Sequence, residues 1–91
     1  MNIKLELPDY DGEAIDVIWE KNGKFDVDVS DDEVLIKANN AGLISFAKQM
    51  LYLAYNNVGD GSHIHFDVFF TQCRPKYGLI IEKNEDVSVI K

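Results

Sequence analysis

The reading of "AGLISFAKQMLYLAYNNV", residues 41–58, decides the fold. At 100° per residue, Leu43, Ala47, Met50 and Ala54 fall along the centre of one helical face. Phe46 and Leu53 flank that face on one side, and Ile44, Leu51, Tyr55 and Val58 on the other. Ser45, Lys48, Gln49, Tyr52 and Asn56 make a narrow polar stripe, too polar for a bilayer span. The pattern predicts an amphipathic helix over 41–57, capped by Asn39 or Asn40. Gly59 supplies a left-handed stop. The apolar arc is wider than a helix lying on a sheet needs, so loops bury one flank or a second chain covers it in a homodimer or hetero-complex.

Strand periodicity surrounds this helix. "NIKLEL" (2–7) alternates apolar and polar residues until Pro8 ends it. "EAIDVIWE" (13–20) and "KFDVDVS" (24–30) are separated by Lys21, Asn22 and Gly23. A three-residue loop there pairs Trp19 with Phe25 and Val17 with Val27, which keeps apolar side chains together. It also places Gly23 in the left-handed region and sets Asp16 beside Asp28. "DDE" turns into "VLIKA" (34–38), while "SHIHFDVFF" (62–70) and "LIIEK" (79–83) follow the helix. "DVSVIK" (86–91) adds a short edge strand or frays. The expectation is α+β: one antiparallel sheet of about five to six strands with a single helix packed on one face.

Ninety-one residues hold one domain, 1–91, with one core. The start "MNIKLELPDYDGE" shows no secretory pattern. Cys73 is the only cysteine, which favours a reducing, cytoplasmic setting. Residues 1–33 carry eleven acids against three lysines, whereas 34–91 carry five acids against six bases. Such an acidic half repels phosphate backbones and argues against nucleic acid, while favouring a basic protein partner. Acidity that only keeps a small protein soluble is the plainer account.

"GSHIHFD" (61–67) sets two histidines and an aspartate at alternate positions. With Ile64, Phe66 and Val68 turned to the helix, His63, His65 and Asp67 face away. Along a straight strand His63 and Asp67 stand about 13–14 Å apart, so the three cannot share one ion. A metal site needs His63 and His65 plus a carboxylate or thiolate from elsewhere, with Asp16, Asp28 and Cys73 the types available. Nucleophilic catalysis lacks its parts: no glycine-rich oxyanion elbow, phosphate loop or dinucleotide fingerprint is present. No enzyme and no cofactor are expected. The remaining readings are an ordinary solvated face and a recognition surface made of Asp16, Asp26, Asp28, His63, His65 and Asp67. The acidic loop at Asp9 and Asp11 with Tyr10, joined to Asp31, Asp32 and Glu33, is a rival surface.

"AGLISFAKQMLYLAYNNVGDGSHIHFD", followed after a short connection by "LIIEK", resembles the small bacterial immunity proteins of polymorphic toxin systems, in particular the immunity protein 32 family. In that family a "GLxxxAxxxLxLA" helix leads into a "GSHxHxD" strand and an apolar strand ending in Glu-Lys. The resemblance covers residues 41–83 and implies a cytoplasmic antidote that binds and blocks a cognate toxin protein. It carries over His63, His65 and Asp67 as signature positions without assigning them a role. A basic toxin such as a nuclease suits the acidic charge. Two alternatives stand beside it: a metal-stabilised protein using the His63/His65 pair, and a homo-oligomer joined through the helix flank.

Overall fold

Local pairing, not one wide sheet, organises the chain. The computed structural model describes residues 2, 4–12, 15–67 and 71–87. Its elements run β1 (Phe25–Ser30), β2 (Glu33–Ala38), α1 (Asn40–Leu53), β3 (His63–Phe66) and β4 (Leu79–Glu82). β1 pairs antiparallel with β2, and β3 with β4, as two separate two-stranded sheets. The class is α+β with one helix, but the expected single sheet of five to six strands is corrected to these two pairs among the described residues. Ile3, Glu13, Ala14, Val68 to Phe70 and Ser88 to Lys91, on which parts of the expected strands fall, lie outside the described residues.

The β1–β2 hairpin closes through Asp31 and Asp32, both left-handed with φ of 51° and 63°. A two-residue loop with two positive φ values matches the right-handed twist of its strands, and aspartate tolerates that region better than most residues. Phe25 and Val27 then point into the core, while Asp26 points outward.

Among the described residues, the expected hairpin of residues 13–20 with 24–30 does not form. Residues 15–20 join no strand ladder, and β1 takes β2 as its partner instead. The left-handed residue at this turn is Asn22 (φ 67°), not Gly23. Gly23 serves a different need: a Cβ there would lie 2.9 Å from Trp19 Nε1, whose N–H donates to the Gly23 carbonyl at 3.1 Å. The indole covers the backbone so closely that only glycine fits.

Helix side chains take the place of the missing strand partner. Ser45 Oγ accepts from Glu20 N–H at 2.8 Å. Gln49 Oε1 accepts from Ile18 N–H at 2.7 Å, while its Nε2 donates to the Asp16 carbonyl at 3.1 Å. Tyr52 OH accepts from Asp16 N–H at 3.4 Å. The spacing explains the fit. Along a helix, positions 45, 49 and 52 are separated by about 6 and 4.5 Å. Alternate residues of an extended chain are about 6.6–6.8 Å apart. One helical stripe can therefore serve successive amides at 20, 18 and 16 running the opposite way.

This ladder sets the rotation of α1. Gly42, Ser45, Phe46, Gln49, Tyr52 and Leu53 are buried, while Leu43, Ala47, Met50 and Ala54 are exposed. The buried face is therefore turned by about 120° from the expected one, using 3.6 residues per turn. Asn39 caps the helix as expected: its Oδ1 accepts from Gly42 N–H at 2.8 Å and from Lys24 N–H at 2.9 Å. The helix ends at Leu53, earlier than expected, and Lys83 Nζ donates to the carbonyls of Tyr55 (2.7 Å) and Val58 (2.8 Å) beyond it. The positive φ after the helix belongs to Gly61 (86°), not Gly59.

The core is aromatic. Trp19, Phe25, Phe46 and Phe66 all touch, with ring centroids between 4.8 and 6.4 Å apart. Val27, Leu53, Val58 and Ile64 complete it. Edge-on contacts of this kind add to the stabilisation from burial.

Candidate partner-binding surface

β3 alternates as its parity requires. Ile64 and Phe66 are buried in the core, and His63 and His65 stand outside. The two imidazole rings meet edge to face, with centroids 5.1 Å apart, and His63 Nδ1 lies 3.1 Å from the Gly61 carbonyl oxygen. Antiparallel pairing sets Glu82 opposite His63 and Ile80 opposite His65. Facing residues share a side of the sheet, so His63, His65, Ile80 and Glu82 form one exposed patch. It combines nitrogen donors and acceptors, a carboxylate and an apolar side chain.

Asp26 and Asp28 occupy the outer side of β1, with Lys37 and Leu35 opposite them on β2. They are engaged within the fold. Asp26 Oδ1 accepts from the backbone N–H groups of Lys76 (2.7 Å) and Val27 (2.9 Å), and these two bonds hold its carboxyl below the ordinary value of 3.8. Asp28 Oδ1 accepts from Val29 N–H at 2.9 Å and meets Lys76 Nζ at 3.4 Å. An exposed ion pair of that kind contributes little. Together the two aspartates fasten the 72–78 connection to β1.

Asp16 belongs to the segment held by the helix ladder, and its expected place beside Asp28 is lost with the hairpin. Asp67 follows β3, half-buried, and its carbonyl accepts from Thr71 N–H at 3.0 Å and Thr71 Oγ1 at 2.7 Å. Four of the six expected residues thus form two local pairs, His63 with His65 and Asp26 with Asp28, on different sheets, and Asp16 and Asp67 belong to neither pair. Sequence reading missed Ile80, Glu82 and Lys76. Parity along "LIIEK" carries the signal for the first two once β3 and β4 are known to pair. Nothing local announces Lys76. In the rival loop, Tyr10 packs edge-on against Tyr52 with centroids 6.1 Å apart, while Asp31 and Asp32 form the exposed hairpin turn.

Among the described residues, no three His, Cys, Asp or Glu side chains gather as an ion-binding group. Cys73 is a free thiol, half-buried, with Sγ 3.7 Å from the Gly23 carbonyl. A cleft of about 460 Å³ opens between the 21–24 turn and residues 71–73, with Trp19, Glu20 and Cys73 in its walls and no histidine. Among the described residues, no helix is long and apolar enough to cross a membrane.

The family model for immunity protein 32 matches residues 33–84, from the start of β2 to just beyond β4. Neither a curated protein nor a solved structure matches the chain.

Proposed function

The chain belongs to the immunity protein 32 family, whose model spans more than half of it, and from that premise we propose that it binds and neutralises a cognate toxin domain. It acts by occupancy and not by catalysis. The family match is the observation that carries this reading, and the charge is consistent with it. A net charge of −7, concentrated in residues 1–33, favours a basic toxin, such as a nuclease, through opposite fields that speed encounter. The free Cys73 suits a reducing, cytoplasmic site of action.

The contact surface we assign is the outer face of β3 and β4. His63 and His65 offer ring nitrogens, Glu82 accepts, and Ile80, 56% exposed, provides an apolar anchor. Asp67, directly after β3, borders it, while Asp16 lies in the segment held by the helix and adds only to the acidic field. Asp26 and Asp28 contribute field more than contacts, because their oxygens already hold the 72–78 connection.

Co-expression with the toxin encoded beside this gene tests the role, and titration calorimetry tests the surface. Cells are expected to survive the toxin, and the on-rate is expected to fall as salt rises. His65→Ala and Ile80→Asp are each expected to weaken binding by about 1 kcal/mol or more. Absence of both rescue and binding sinks the role. Rescue and affinity untouched by these variants would leave the role standing and move the surface elsewhere.

A further inference from the structure

The strand β2 is exposed along almost its whole length. Every side chain from Glu33 to Lys37 faces solvent, including three consecutive apolar residues, Val34 (63%), Leu35 (53%) and Ile36 (40%). β1 covers one edge, and among the described residues no backbone hydrogen bond joins the other edge to a further element. The strand carries no proline and no bulge to blunt that edge, and its two charged residues, Glu33 and Lys37, flank an uncharged run of three. A lone two-stranded ribbon is marginal in water, whereas three or more strands with an apolar face are stable.

Hairpin geometry restricts what can add there. A two-residue loop makes Ser30 and Glu33 the hydrogen-bonded closing pair. Bonding then alternates, so Glu33, Leu35 and Lys37 aim their N–H and C=O groups at β1, and Val34 and Ile36 aim theirs outward. An added antiparallel strand must match outward residues with outward residues.

We propose that this edge pairs with the same edge of a second copy of the chain, antiparallel about a two-fold axis at Leu35. In that register Glu33 faces Lys37 of the second copy, Val34 faces its Ile36, and Leu35 faces its own equivalent. Both charged residues meet opposite charges and all apolar residues meet apolar ones. Moving the axis to Ile36 sets Glu33 against Asn39 and Lys37 against Leu35. Moving it to Val34 sets Glu33 against Leu35. Only the Leu35 axis satisfies the whole strand, and this self-complementarity selects a second copy over an unrelated strand. The product is a four-stranded sheet, β1–β2–β2–β1, whose one face carries Val27, Val29, Val34 and Ile36 from each copy. It does not depend on toxin binding.

Sedimentation of the free protein from micromolar to millimolar concentration tests the dimer. Wild-type protein is expected to shift from monomer to dimer. Val34→Pro removes an outward N–H while leaving the bonds to β1, so it is expected to stay monomeric with the thermal midpoint of dilute wild type. Glu33→Lys and Lys37→Glu each place two like-charge pairs in the contact and are expected to weaken it by about tenfold or more. The double variant restores opposite charges and is expected to recover dimerisation. A strict monomer at millimolar concentration overturns the proposal, and so does a dimer indifferent to Val34→Pro and to the single charge reversals. A dimer lost with Met50→Asp but kept with Val34→Pro would also overturn it, in favour of the helix flank.

Discussion

One face of α1 holds Ser45, Gln49 and Tyr52, each with no exposed surface, while the face about a third of a turn away holds Leu43, Ala47 and Met50 in contact with solvent. Average hydropathy would arrange them the other way. Burying amides and hydroxyls is costly when they lack partners and close to neutral when they have them. Here every buried polar atom of the described side chains finds one. The inward face also brings Phe46 and Leu53 into the aromatic core, so it surrenders less apolar burial than the projection suggests. A stripe of neutral hydrogen-bonding side chains at helical spacing can act as the edge of a sheet, and the need to satisfy the backbone of residues 16–20 settles which face goes in.

Gln49 tests this contrast most severely. Gln49→Leu keeps bulk and raises hydropathy, yet it strips the Ile18 N–H and the Asp16 carbonyl of their partner. We expect a loss of about 2–4 kcal/mol in urea unfolding, from two backbone groups left unbonded and partly buried. Unchanged or increased stability would mean that hydropathy, and not the ladder, orients the helix.

The exposed face gives the converse test with a smaller effect. Met50→Lys is expected to change stability by no more than about 0.5 kcal/mol, the usual range for an exposed position. Burying a lysine in a packed site would cost several times more. A loss above about 2 kcal/mol at Met50 would place that side chain in the core and break the comparison.

How far the sequence foretold these faces depends on whether the signal was local. The Asn39 cap and the parity of β3, with Ile64 and Phe66 inward and both histidines outward, follow from neighbouring residues and agree with the structure. The rotation of α1 depends on Glu20, Ile18 and Asp16, more than twenty residues away, and no helical projection contains them. The 13–20 hairpin was plausible because Val17 and Val27 match in register, but β2 offered β1 a tighter turn through Asp31 and Asp32. Glycine commonly takes the left-handed position of such a turn, which points to Gly23, whereas the close approach of Trp19 is a tertiary demand. The candidate surface divided for the same reason. Parity puts aspartates and histidines on outer faces, but says nothing about whether those faces belong to one sheet.

Asp26 separates fold-holding from partner-facing carboxylates, with the smallest expected effect. Two backbone N–H groups favour its charged form, so its pKa is lower folded than unfolded. The sign follows: this contribution is present above the unfolded value, near 3.8, and is lost as pH falls through the lower folded value. Protonation weakens the bond from Lys76 N–H and loosens the 72–78 connection from β1. The amide resonance of Lys76 should therefore titrate with a midpoint below 3.8, and Asp26→Asn should abolish that step while leaving global stability nearly unchanged. A Lys76 amide insensitive to low pH, or one whose titration survives Asp26→Asn, would detach the connection from Asp26. That carboxylate would then be as available to a partner as any on the β3–β4 face.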